Sequence, residues 1–162
     1  MKYTGLLNIG LAAPGTPMPP PPPMAPPKQP WTWAIIGLVG GVLALLGVLL
    51  PWISVTVLVI TINFTGMDIL TNALYSKYTI YPMLTLISGI LALVLCILRK
   101  KILYLVGGIM GILAFIMPMV FMMTINGEVG TNVTGMGVYI SMVGGILALV
   151  GGILGFVKYP KT

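Results

Sequence analysis

The chain has 162 residues, 58% of them apolar and only 6% charged, and a mean hydropathy of +1.10. Soluble domains carry about 25% charged residues, so this composition excludes water as the main solvent, and the length leaves no room for a second, soluble domain. A formal charge of +6 with no histidine and only two carboxylates matters through its placement, and it comes with no nucleic-acid-binding motif.

Residues 1–31 read as a cytoplasmic tail. Ten of the fourteen prolines lie between Pro14 and Pro30, with Pro19, Pro20, Pro21, Pro22 and Pro23 consecutive. Such a run adopts extended polyproline II and builds no core. It suits a tether, and it equally suits docking into an aromatic groove on a partner, because little ordering entropy remains to be lost. The five consecutive prolines are the candidate partner-binding residues. The apolar stretch from Gly5 to Ala13 follows a lysine but is too short for a secretion signal.

Four apolar stretches follow within residues 32–158: Thr32 to Pro51, Ile80 to Leu98, Ile102 to Met123 and Met136 to Val157. Each approaches or exceeds the roughly 20 residues that cross about 30 Å of hydrocarbon, and none contains a charge. Unpaired amides are costly in lipid, so each is expected to be a helix. The expected fold is an all-α membrane protein, an up-down four-helix transmembrane bundle, with a small β element outside.

After the first span, Trp52 to Thr65 is almost wholly β-branched or aromatic, which is strand chemistry. Met67 to Tyr78 has the spacing of a short interfacial helix. In the second outer loop, Thr124-Ile-Asn-Gly-Glu-Val places Asn-Gly between β-prone residues, a hairpin signal. The two outer loops are therefore expected to pair into a small sheet. Each also holds an Asn-x-Thr triplet, making Asn63 and Asn132 candidate N-glycan acceptors.

Lys2 and Lys28 precede span one, Arg99, Lys100 and Lys101 join spans two and three, and Lys158 and Lys161 follow span four. Lys77 lies opposite, with Asp68 and Glu128. The positive-inside rule then puts both termini, including residues 159–162, in the cytoplasm, with the cell membrane as location. Trp31, Trp33, Tyr104 and Tyr159 on one side, and Trp52, Tyr78 and Tyr81 on the other, fit interfacial anchors.

The chain matches itself. Val39 to Pro51 aligns with Val106 to Pro118, glycine pair and proline in register, and Ile87 to Leu98 aligns with Val143 to Leu154. With Asn63-Phe-Thr-Gly-Met repeated as Asn132-Val-Thr-Gly-Met, this reads as a duplicated helical hairpin, its copies related by an axis along the membrane normal. Pro51 and Pro118 are placed to end or kink their helices.

Small residues recur at helical spacing: Gly37 and Gly41, Gly40 and Ala44, Ser88, Ala92 and Cys96, Gly107 and Gly111, Gly144, Ala148 and Gly152. Such stripes let helix backbones approach, within one chain or against a neighbouring subunit; a glycine-lined pore is the sharper alternative. The lone Cys96 suits helix packing.

With no histidine and two separated carboxylates, the sequence supplies neither a clustered metal-ligand set nor a base beside a nucleophile, and no cofactor is expected. The spans also lack the ionisable groups of proton relays and ion-coupled transporters.

Leu49-Leu-Pro-Trp-Ile-Ser-Val-Thr-Val57 and Gly144-Gly-Ile-Leu-Ala-Leu-Val-Gly-Gly152 resemble small prokaryotic, in part archaeal, four-span membrane proteins whose first span ends in Leu-Pro-Trp before a β-prone outer segment. Some of these also have a proline-rich inner tail. The layout is similar to that of claudins, but their paired loop cysteines and Gly-Leu-Trp are absent, so no claudin residue carries over.

These features point to a non-catalytic structural or accessory subunit of a larger membrane assembly of respiratory, envelope or virion type. Its partners would be the lipid bilayer, other membrane subunits and further copies of itself, without nucleic acid. A small channel or facilitator for a neutral solute is the alternative.

Overall fold

A computed structural model of the chain describes residues 31–98 and 100–158. The elements in order are α1 (Trp31–Leu49), β1 (Pro51–Val57), β2 (Ile60–Thr65), α2 (Gly66–Thr71), a 3-10 helix (Ala73–Tyr78), α3 (Ile80–Leu98), α4 (Lys101–Val129) and α5 (Met136–Val157). Four of these helices, α1, α3, α4 and α5, are long and apolar enough to cross a membrane. This is the architecture of a multi-pass membrane protein whose exposed aliphatic side chains meet lipid.

Each long helix has two main neighbours. α1 packs on α3 and α5, α4 packs on α3 and α5, and the pairs α1/α4 and α3/α5 barely meet. Gly37, Gly40 and Gly47 of α1 lie against Gly151, Ala148 and Ser141 of α5. The rising numbers of one helix meet the falling numbers of the other, so the two run antiparallel. Gly108 against Gly152 and Gly145 against Phe115 show the same for α4 and α5.

The adjacent-glycine pairs explain how one helix serves two neighbours. Gly40 faces α5 while Gly41 faces α3; Gly107 faces α3 while Gly108 faces α5; Gly144 faces α1 while Gly145 faces α4; Gly151 faces α1 while Gly152 faces α4. Successive residues of an α-helix are about 100° apart. That is close to the right angle between the two neighbours of a helix at a corner of a four-helix ring.

The expectation that the Asn126-Gly127 step turns a hairpin is corrected by the structure. α4 runs unbroken through Pro118 and Asn126 to Val129 and stops at Gly130, whose φ of 73° is the left-handed cap conformation that glycine takes most easily. At 29 residues it is about 43 Å long, so it stands well proud of a hydrocarbon layer of about 30 Å. Pro51, by contrast, opens β1 just after α1 ends at Leu49, two residues short of the expected span end.

The β element belongs to the first outer segment alone. β1 and β2 form an antiparallel two-stranded hairpin, and the second loop contributes only the isolated bridge between Ile53 and Thr134. The two loops therefore do not share a sheet in the way the pattern suggests; once α4 consumes residues 124–129, too little extended chain is left. The short helix expected over 67–78 occurs as α2 and the 3-10 helix, separated by Asn72.

Candidate functional site

Among the described residues there is no group of three or more His, Cys, Asp or Glu side chains placed to hold a metal. Two constructions stand out instead: the glycine seams along α5 and the cap that closes one end of the helices.

At the seams the backbones themselves touch. A Cβ built on Gly40 would fall against the Ala148 amide nitrogen, and one on Gly144 against the Ala44 amide nitrogen; one on Gly145 would lie 2.6 Å from the Phe115 nitrogen, and one on Gly152 2.6 Å from the Gly108 Cα. Gly111 belongs to the same seam, opposite Leu149 and Gly145. α3 sits further back. Gly107 would meet Cys96 Sγ at an ordinary 3.7 Å, and Gly41 meets the side chain of Leu93. Gly37 lies between Cys96 and Gly151. Ala44, Ala92 and Ala148 are buried alongside them.

Among the described residues, buried polar side chains are few and satisfied. Thr85 donates to the Tyr81 carbonyl, Ser88 to the Thr85 carbonyl, and Ser141 reaches across to the Ala44 carbonyl at 3.5 Å. No buried side-chain nitrogen or oxygen among the described residues lacks a partner. The interior is thus packed helix against helix.

The cap is built on Trp52. It is fully buried, donates from Nε1 to the Gly47 carbonyl at 2.9 Å, and packs on Phe121 with ring centroids 5.1 Å apart. Tyr78 and Tyr81 meet the same Phe121 ring edge-on. The strand register shifts between Pro51 and Ile53, and this bulge lets consecutive residues Trp52 and Ile53 both turn inward, which a regular pleat forbids. Ile69, Val133 and Val138 complete this core.

Two of the expected interfacial anchors are therefore core residues. Trp52 is one. Tyr104 is the other, 1% exposed and covered by Gly155, whose added Cβ would press on its ring. Each aromatic found a polar partner or a glycine gap inside the protein, and full burial of so large a ring outweighs an interfacial position. Trp33 does stay at a helix end, with the Lys158 ammonium 5.4 Å above its ring; Lys101 covers Phe156 similarly. The side chain of Trp31, and Arg99, Tyr159 and the tail prolines Pro19 to Pro23, lie outside the described residues.

Polar contacts fasten the loops of the cap. Asn126 Oδ1 accepts from the Val133 amide and the Thr134 hydroxyl, both at 3.1 Å. A side chain that suggests a turn in sequence thus anchors the α4–α5 loop to the extended helix. Asn126→Ala removes the acceptor of both bonds, one of them from the backbone of the buried Val133. It is expected to cost about 1–3 kcal/mol and to raise hydrogen exchange at residues 131–135 without unravelling α3.

Glu128 accepts from Lys77 Nζ at 2.5 Å and from the Tyr78 hydroxyl. The carboxylate beside them raises the pKa of both Lys77 and Tyr78. The groups are solvent-exposed, so the link ties the 3-10 helix to α4 more than it stabilises the fold.

Thr65 and Asp68 form a capping box at the start of α2. The Asp68 amide donates to Thr65 Oγ1, and the Thr65 amide and hydroxyl both donate to Asp68 Oδ2 at 2.8 Å. These bonds favour the carboxylate and lower its pKa. A lowered folded-state pKa contributes stability that is complete above the unfolded value, about 3.9, and is lost as pH falls through the folded value. Amide exchange in α2 should therefore be flat with pH above about 5, after correction for intrinsic rates, and rise below about 4; Asp68→Asn should abolish that rise.

The triplet asparagines both sit in exposed chain. Asn63 lies on β2 opposite Ser54, and Asn132 Oδ1 accepts from the Thr134 amide in the α4–α5 loop. Their threonines are already engaged, Thr65 in the capping box and Thr134 with Asn126.

Comparison with known proteins gives no matching family model, no curated relative and no similar solved structure.

Proposed function

We propose that the chain is a non-catalytic structural or accessory subunit of a larger membrane assembly, built as an up-down transmembrane bundle with both termini cytoplasmic. The observation that carries this reading is the backbone-to-backbone packing of α5 against α1 and α4, the close helix association by which membrane helices hold together and join neighbours. A facilitator needs a polar or open path; here the buried polar groups are spent on helix carbonyls.

Charge placement supports the orientation. Lys100, Lys101 and Lys158 stand at one end of the long helices, while Asp68, Lys77 and Glu128 belong to the capped end; cytoplasmic loops are the cation-rich ones. Duplication of a hairpin is supported by equivalent contacts. Gly40 and its repeat equivalent Gly107 face the helix of the other hairpin, while Gly41 and Gly108 face the partner within their own.

Purification in mild detergent followed by mass spectrometry tests the reading. Larger membrane subunits are expected to travel with the chain, and deleting residues 14–30 should release them. Solute flux through liposomes holding the chain alone would replace this reading with the facilitator.

A further inference from the structure

The β1–β2 hairpin has two unlike faces. Ser54 pairs with Asn63 and Thr56 with Thr61 on one, where the two threonine hydroxyls lie 3.0 Å apart. On the other, Ile53 pairs with Phe64, Val55 with Ile62 and Val57 with Ile60. This second face is wholly apolar. Its base rests on the helix ends, since Ile53 shares the cap core with Val48 of α1, Phe121 of α4 and Val138 of α5, and Val55 and Phe64 pack against that core. Toward the tip the same face lies open: Val57, Ile60 and Ile62 are 58%, 65% and 49% exposed, with Leu58 and Val59 of the turn above 90%.

Five neighbouring aliphatic side chains exposed to this degree form a patch on the order of several hundred Å², the size that marks an interaction surface. Leu58 sharpens the point. Its φ of 56° is a left-handed conformation in which hairpin turns ordinarily use Gly or Asn, yet the turn keeps an apolar side chain there at a conformational cost.

The level of this patch follows from α1. At 19 residues that helix is about 28 Å long, which matches a hydrocarbon layer of about 30 Å. Its end therefore lies at the hydrocarbon edge. Leu46 and Leu49 are still exposed there, and β1 opens directly afterwards at Pro51. The hairpin thus leaves the bundle at headgroup level, where the lipid-facing surface of the helices ends, with its apolar face the one turned toward the helix ends. The backbone limits how deep it can go. Among the described residues β2 pairs with β1 alone, and an open strand edge is not tolerated within hydrocarbon.

We propose that the hairpin lies in the lipid interface at the capped end of the helices, with Val57, Leu58, Val59, Ile60 and Ile62 sunk among the acyl chains and Thr56, Thr61 and Asn63 turned to water. Two unlike faces favour the interface plane, as they do for an amphipathic helix, whose apolar side enters about 5–10 Å into the headgroup and acyl boundary. The edge of β2 then stays among headgroups and water, which complete its hydrogen bonds. No charged residue lies between Pro51 and Thr65, so insertion strips water from no charge. The placement rests on the long helices spanning a bilayer and is independent of the accessory role.

Spin labels on added cysteines of the full chain test the placement in phosphatidylcholine vesicles, at a protein density low enough to isolate the chains. The parent, whose Cys96 is buried, gives the labelling background. Collision with oxygen, which concentrates among acyl chains, and with a water-soluble nickel chelate should alternate along β2. Labels at Ile60→Cys and Ile62→Cys should meet oxygen several-fold more than the chelate, and labels at Thr61→Cys and Asn63→Cys the reverse. Leu58→Asp combined with Val59→Asp changes only side chains that are almost fully exposed, and should reverse the ratio at Ile60→Cys while helicity stays the same. The proposal is overturned if the chelate reaches Ile60→Cys and Ile62→Cys as readily as Thr61→Cys, which would put the tip in water. Exclusion of both probes from these positions would mean that protein covers the face, and an unchanged ratio in the double aspartate variant would mean that the tip is not held by lipid; either result overturns it too.

Discussion

Gly144→Val should separate α5 from α1 and destabilise the chain by about 3 kcal/mol or more, the upper end of the range for overpacking a tight core. Any Cβ at position 144 meets backbone on the opposite helix: the Ala44 amide, the Gly40 carbonyl oxygen at 2.7 Å and the Ala44 Cα at 2.9 Å. A flexible side chain can swing aside, but a helix backbone moves only as a unit. The repair is to push α1 away, which also opens the contacts of Gly37, Gly40 and Gly47. In lipid the loss is not offset by any hydrophobic drive between helices, because close packing is itself much of what holds them together.

Two controls make the result specific to the seam. Gly107→Ala meets only ordinary van der Waals contacts near 3.7 Å, and Gly127→Ala meets nothing within 4 Å. Each gains up to about 1 kcal/mol of helix propensity, so both should match or exceed the parent. Unfolding of detergent-solubilised protein by increasing SDS, followed by helical circular dichroism, reads all three. Equal stability of Gly144→Val and parent would mean that α1 and α5 do not meet as described.

Trp52→Ala is the second large effect, with an expected cost of about 3–5 kcal/mol, as for other fully buried large aromatics. The indole fills the space under the hairpin base between Gly47, Gly66 and Phe121. Removing it takes away the ring that Phe121 packs on and leaves the Gly47 carbonyl with the Leu50 amide, at 3.3 Å, in place of two donors. Trp52→Phe keeps most of the apolar volume but loses the 2.9 Å hydrogen bond, and should cost nearer 1 kcal/mol from that bond. Hydrogen exchange should show β1, β2 and residues 131–135 losing protection together in Trp52→Ala while α3 and α4 keep theirs. If the four long helices instead melt in step with the hairpin, the cap and the helical body are one cooperative unit.

The comparison of these two sites shows what kind of signal a sequence carries. The small-residue stripes Gly37/Gly41, Gly40/Ala44, Gly107/Gly111 and Gly144/Ala148/Gly152 stand out in the sequence, and Gly40, Ala44, Gly111, Gly144, Ala148 and Gly152 among them lie on the seams along α5. Their assignment to particular neighbours is invisible there, since spacing along one helix says nothing about which helix lies opposite. Trp52 follows a proline at the end of an apolar run, which suits a lipid-interface anchor as well as a core residue. The bulge that turns it inward is a property of pairing with β2. Asn126-Gly127 is misleading for a related reason: turn chemistry is a local preference, whereas helix continuation here is supported by Val133 and Thr134 bonding to Asn126 and by the stop available at Gly130.

Linear properties of the chain were readable without coordinates. Uninterrupted apolar length marks four spans because the thickness of hydrocarbon sets one scale for all of them, and the β-branched composition after Pro51 marks a strand pair because that chemistry suits a pleated surface locally. The packed molecule supplied everything that depends on who lies next to whom. It divided each glycine pair between two neighbours, carried α4 six residues past its expected end, buried Trp52 and Tyr104, and left the edge of β2 bare. Contacts between distant segments are decided by shape and by the satisfaction of individual polar atoms, and these quantities exist only once the segments have met.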